Sequence, residues 1–343
     1  MSDEAKFLIF AVLILMTACE KNLTGPAGTV SFKVSEHFLS DVHVTAMDFD
    51  SEGMAWIGTF DQGVIRYNGK TKRYDAGNSD FLKDALIWDI AVDRRDQVWM
   101  GTNTGLICFD GTQFAQYTTA NSPLPENVVW SIAVDQSNKL WLASSRFQKG
   151  GLVTFDGTDW QVYTPENSLL PVNSVRNVIV DYSNRIWFAL GASINNAYIV
   201  RIDGDRWTIY DKQDFGFTPY MFRHLVVDPC NNLYGSLDYS FSSLWDITRP
   251  NIIKFNGYDW SIKNPLDSNN EPLGYVGRIA ADRRGFIWAM IDGWCGSNLA
   301  VYNGKCWLYD QVDIPLSFTS ELAFDDENDL WIGTGSGVYV IKQ

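Results

Sequence analysis

The chain has 343 residues, 46% hydrophobic and 14% aromatic, with a formal net charge of −14. That charge excludes the cationic phosphate-binding surface on which nucleic-acid affinity depends, and it is ordinary for a well-solvated soluble domain. Five cysteines give neither a disulfide framework nor a metal-ligand spacing. Cys19 stands apart, and Cys108, Cys230, Cys295 and Cys306 read as small, mostly buried residues. Cys295 and Cys306 would lie roughly 20 Å apart, at opposite ends of a predicted strand, too far to bridge.

In chain order, the first element is the apolar run Phe7 to Met16, preceded by Lys6. It is too short to span a bilayer, which needs about 20 residues, and it suits the core of a signal peptide. The segment resembles a bacterial lipoprotein signal, with Met16-Thr17-Ala18-Cys19 as its lipobox. That resemblance implies a lipidated Cys19. The sequence departs from the pattern in having Met16 where leucine is usual and an acidic start, Ser2-Asp3-Glu4. The alternative is an ordinary secretory signal with a chance cysteine. The expected organisation is a leader over residues 1–19, a tether over 20–28 and one folded array over 29–343. The expected location is outside the cytoplasm, in the bacterial envelope (periplasm or cell surface), with a lipid anchor to the membrane.

From there one unit recurs. An apolar run ends in an aspartate, a polar turn follows, and an aromatic stands six residues after the aspartate. The pairs are Asp50/Trp56, Asp93/Trp99, Asp135/Trp141, Asp181/Trp187, Asp228/Tyr234, Asp282/Trp288 and Asp325/Trp331. Successive aspartates are 43, 42, 46, 47, 54 and 43 residues apart, a period that belongs to propellers or solenoids. Six of the seven apolar runs lack a polar side chain, as a strand buried on both faces would. Three residues past each aspartate stands Gly, Asp or Asn, which suits a left-handed turn position. The aspartate is expected to cap that turn; a calcium role is the alternative. A second strand carries the aromatic. A third ends in Asn-Gly or Asp-Gly in six copies, and a fourth follows. Four antiparallel strands make one propeller blade. The seventh copy lacks its outer strand, and the alternating stretch Thr29 to Val34 can supply it and close the ring. The fold class is therefore all-β, a seven-bladed β-propeller, expected to be monomeric.

The pattern of Val129 to Trp141, followed by Gly151-Leu152 and Phe155-Asp156-Gly157, resembles the two-component regulator propeller repeat over about residues 30–343. In that family such propellers often form the periplasmic sensor part of histidine kinases. These 343 residues hold no kinase core or DNA-binding module, so phosphotransfer is not expected of them. The tryptophan strands are similar, more weakly, to streptogramin lyase propellers, which would be expected to use more than one histidine near a metal.

Positions that repeat build the ring, and positions that vary are open to function. The fifth and fourth residues before each aspartate open the innermost strand at the channel mouth. They supply Trp88, Asp89, Trp130, Arg176, Arg223, His224, Arg278 and Glu321. Longer insertions at 144–150, 191–196, 236–251 and 291–298 lie on the same side and add Tyr239, Trp245 and Trp294 as a rim. Aromatic faces beside arginines and carboxylates suit a glycan, a peptide or an envelope protein; alternatively, the tryptophans only plug the channel. His224 with Asp89, Arg223 and Glu321 could form an acid–base site of lyase or hydrolase type, or be a hydrogen-bonded histidine in a polar funnel. A purely structural lipoprotein is the third possibility. No Gly-rich phosphate loop, nucleophile elbow or metal-ligand cluster is present in the sequence, and no cofactor or metal is expected.

Overall fold

The computed structural model describes residues 32–146, 149–191, 197–238, 251–265, 274–293, 296–311, 314 and 321–343. The expected leader, lipidated Cys19 and tether, and the rim residues Tyr239, Trp245 and Trp294, lie outside them. The repeats fold into seven four-stranded antiparallel sheets whose innermost strands contact one another around a closed ring. In blade 3 these strands, A to D from the axis outward, are Val129–Val134, Leu140–Arg146, Lys149–Phe155 and Trp160–Tyr163. No helix among the described residues is long and apolar enough to cross a membrane.

The repeated aspartate builds the turn between strands A and B. One oxygen of Asp135 accepts the backbone N–H groups of Ser137 (2.8 Å) and Lys139 (3.0 Å), and the other accepts Trp141 Nε1 (3.1 Å). Burial raises this carboxyl's pKa, but the hydrogen bonds outweigh it and hold the group below its usual range. The turn residues Asp96, Asn138, Asn184, Asn231 and Asn328 all have φ between +59° and +67°.

Each of those five side chains also reaches the preceding blade. Asp96 accepts Ser51 N–H, Asn138 accepts Arg94 N–H, Asn184 accepts Gln136 N–H, Asn231 accepts Tyr182 N–H and Asn328 accepts Arg283 N–H, all at 2.8–2.9 Å. Two junctions lack the bond. Gly53 and Gly285 occupy the turn position there and have no side chain to accept. At the second of these the donor is missing too, because Pro229 stands where the N–H would be.

Blades pack face to face over apolar cores shared by neighbours. Trp141, Leu152, Leu170, Val175, Phe188 and Val200, for example, form one core between blades 3 and 4. Close approach also explains the small residue in strand B. A Cβ on Gly101 would stand 2.7 Å from the Val129 carbonyl oxygen of the next blade.

Three expectations need correction. The ring is closed by a strand at Val34–Phe38, paired antiparallel with Gly337–Ile341, and not by a strand ending at Val34. In register, Ser35 Oγ donates to the Val340 carbonyl, and Phe38 stacks on Tyr67 of blade 1 at 4.1 Å. Strand A is not buried on both faces: Val180, Val227, Ala281 and Phe324 are only half-buried because they face the axial channel. Cys230 is exposed and disulfide-bonded, since it follows Asp228 in a surface turn, whereas Cys108 is buried and free and Cys306 half-buried and free.

Candidate functional site at the channel mouth

Strand A does not run evenly into its partner. In blades 1 to 6 its register with strand B slips once, between Val44 and Ala46, Ile87 and Asp89, Val129 and Ser131, Val175 and Asn177, Phe222 and His224, and Val276 and Ile279. The extra residue of each β-bulge is Thr45, Trp88, Trp130, Arg176 or Arg223, with Gly277 and Arg278 in blade 6. A bulge re-aims its side chain and recurs at binding sites for that reason. The variable fifth position before the aspartate is thus the bulged residue. The bulge was not foreseen.

The structure brings Trp88, Asp89, Trp130, Arg176, Arg223, His224, Arg278 and Glu321 together around one cavity of about 790 Å³ on the ring axis, extending to Tyr182 and Arg283. The bulged side chains form a rim. The Trp88 and Trp130 rings are 5.0 Å apart and inclined by 40°, and the Arg176 guanidinium lies 5.2 Å from the Trp130 ring. Trp130 Nε1 donates to the Ser145 carbonyl at 2.6 Å, which fixes that ring. Trp88 Nε1 and Arg176 Nε are buried and have no acceptor. Arg223, exposed, lies 5.6 Å from the Tyr275 ring.

One residue deeper, the fourth position does structural work in part of the ring. Asp89 accepts Ile132 N–H (2.8 Å), Ser131 Oγ accepts Val178 N–H (3.2 Å) and Asn177 accepts Leu225 N–H (2.9 Å), each from the next blade. Blade 1 has Ala46 there, and Asp48 takes over by accepting Val92 N–H at 2.7 Å. Asp48 was overlooked, although it is the one polar side chain in the apolar runs. Asp89 is therefore a ring-building residue as well as a wall of the cavity.

Across the remaining blades the same position carries charge. Arg278 Nη1 lies 2.6 Å from His224 Nδ1, and Arg278 Nη2 lies 3.3 Å from the Glu321 carboxylate. Because guanidinium can only donate, His224 Nδ1 accepts and its proton sits on Nε2. Burial, then Arg278 and Arg223, holds the histidine well below its usual pKa, so it is neutral. Burial pushes Glu321 up to about 7 against the attraction of Arg278. Burial likewise pushes Asp89 up to about 6, against the Ile132 N–H and Arg278. Among the described residues no group of histidine, cysteine and carboxylate side chains has metal-binding geometry.

The two component regulator propeller family model matches residues 123–146. The chain carries that repeat. The match contains the segment from Val129 to Trp141 on which the resemblance rests. Over 72 residues, 20% of this chain, the sequence is 35% identical to histidine kinase P4 of Formosa agariphila, and the alignment spans 5% of that protein. Among solved structures, a streptogramin B lyase superposes with a TM-score of 0.69 at 13% identity, over 91% of this chain and 97% of the lyase. The extracellular domain of the hybrid two component system BT3049 from B. thetaiotaomicron superposes with a TM-score of 0.68 at 19% identity, over 93% of this chain and 41% of that domain. At these identities the structural likeness establishes the propeller fold shared by the regulator propeller and the lyase.

Proposed function

We propose that this propeller is a non-enzymatic, extracytoplasmic binding module. It takes a glycan, peptide or envelope-protein segment at the channel mouth, on a body lipid-anchored through Cys19 and linked to sensing. The observation that carries the reading is the rim itself: the inclined rings of Trp88 and Trp130, with the Arg176 guanidinium over the second, beside a cavity of about 790 Å³ and with two buried donors left without acceptors. Stacked aromatic faces with a few convergent polar groups suit a ligand that has apolar faces and polar edges. A cavity of this size counts against tryptophans that merely plug the channel, and so against a purely structural role. The lyase or hydrolase alternative needs a base, yet His224 Nδ1 is occupied by Arg278. The location is supported by the apolar run Phe7 to Met16 with its lipobox and by likeness to an extracellular domain.

The test is a glycan and peptide screen on the protein from Glu20 onward, read by tryptophan fluorescence. A Trp88→Ala/Trp130→Ala variant with an unaltered melting profile is expected to lose about 30-fold or more in affinity for any ligand found. Unchanged affinity would remove the mouth from consideration.

A further inference from the structure

We propose that the mouth selects its ligand by an anionic group, a carboxylate or sulfate carried on a saccharide ring stacked on Trp88 and Trp130, and that Arg176 reads that group. This rests on the binding reading above and narrows it.

Several arginines of the ring are neutralised by carboxylates. Arg66 pairs with Asp50, Arg185 with Asp181, and Arg278 with Glu321. Arg176 is half-buried, lies over the Trp130 ring, and among the described residues has no carboxylate within pairing distance; its Nε is buried without an acceptor. A half-buried guanidinium without a counter-charge gains from an anion brought to it, and unlike Arg201, which lies over Trp187 in the same way, Arg176 lines the cavity. A guanidinium is a planar fork of donors that can take two oxygens of one anion. Trp88 Nε1 is a second buried donor in the same cavity with no acceptor, suited to a ring oxygen or hydroxyl.

The carboxylates do not contradict this, because they sit one residue deeper and are engaged. Asp89 accepts two backbone N–H groups, and Glu321 holds Arg278 and accepts Leu322 N–H. The same bonds favour a saccharide over a peptide strand. The strand-A amides of Ile132, Val178 and Leu225 are taken by side chains of neighbouring blades, so a peptide backbone meets no open edge there. Two rings 5.0 Å apart and inclined by 40° instead offer successive faces to successive sugar rings.

The experiment titrates the protein from Glu20 onward, by tryptophan fluorescence, with trigalacturonate and its methyl ester, a sulfated trisaccharide and its desulfated counterpart, and an acidic pentapeptide. The expected result is that an acidic saccharide binds about tenfold or more tightly than its neutral partner, a margin that shrinks with added salt. Arg176→Met, which keeps a chain over Trp130, brings the acidic form down to the neutral level, and Arg176→Lys falls between the two. Whether the carboxylate or the sulfate pair shows the larger margin identifies the anion. Equal binding of acidic and neutral partners, with both lost in Trp88→Ala/Trp130→Ala, overturns the anion inference and leaves the binding reading standing. Binding of the pentapeptide alone overturns the saccharide. No response to any probe overturns the inference, while a ligand emerging from the wider screen and lost in the double tryptophan variant keeps the mouth as a site. Should Arg176→Met fail to fold, Arg176→Gln replaces it with the same outcomes.

Discussion

The arc from blade 1 to blade 5 and the arc from blade 5 back to blade 1 are built from one repeat and held together differently. In the first, every junction has two side-chain-to-backbone bonds: one from the turn residue, at Asp96, Asn138, Asn184 and Asn231, and one from strand A, at Asp48, Asp89, Ser131 and Asn177. In the second, the strand-A bonds give way to the chain His224–Arg278–Glu321. The turn bond is absent at the junctions of blades 5 and 6 and of blades 7 and 1. Aromatic contacts of Phe38 with Tyr67 and Trp331 hold the latter instead. A repeat can thus release some of its copies from structural duty, and Arg278 and Glu321 stand where that duty has lapsed.

The largest test of this contrast compares two equivalent tryptophans. Trp187 in the bonded arc is 1% exposed, whereas Trp331 at the seam is half-buried. Trp187→Ala is expected to cost about 3–5 kcal/mol, and Trp331→Ala at least about 1 kcal/mol less, in urea unfolding. Equal losses would mean that the arcs are energetically alike.

A smaller effect comes from pH. Asp48 is pushed from 3.8 up to about 6, by burial first, against the N–H groups of Val92 and Phe49 and with Asp89 adding repulsion. A carboxyl raised in the folded state adds stability that is complete below its unfolded pKa and is lost as pH climbs through about 6. Asp48→Asn keeps an oxygen for Val92 and cannot ionise. Its stability relative to the parent should therefore rise by about 1–2 kcal/mol between pH 4 and pH 7. A gap that stays constant with pH would show that the Asp48 carboxyl titrates alike in the folded and unfolded chain.

The smallest effect is the most specific. Gly53 has φ +74° and nothing within 4 Å of a built Cβ. Gly53→Asn should restore the missing bond, to the Asp326 N–H, and add about 0.5–1 kcal/mol to thermal stability. Gly285→Asn should add nothing, because Pro229 has no hydrogen to give. A gain at both positions would point to the turn conformation itself and not to the bond between blades.

The blades were legible because their residues recur: an aspartate, a turn residue and an aromatic at fixed spacing name a hairpin without reference to anything distant. The mouth was legible for the opposite reason, since Trp88, Trp130 and Arg176 are where the copies disagree. What stayed hidden depends on partners some 45 residues away. That Asp89, Ser131 and Asn177 cap amides of the next blade follows from which N–H each bulge leaves unpaired, and single-strand patterning carries no trace of it. The closing strand is expected a few residues early because Thr29 to Val34 alternates, whereas Val34 to Phe38 has three consecutive polar residues and is marked as a strand only by its pairing with Gly337–Ile341. Cys230 was misread because burial was inferred from residue type and not from its place in a surface turn.

The pairing of Val34–Phe38 with Gly337–Ile341 sets an order of events. Ser35 and Val340, which share one of its hydrogen bonds, are 305 positions apart. Bringing such remote segments together is entropically unfavourable until the blades between them have formed. Of the described strands, the one nearest the N-terminus is therefore the last to settle. Its partner edge, Gly337–Ile341, is the last described strand of the chain, so it stays unpaired until the seventh blade has formed.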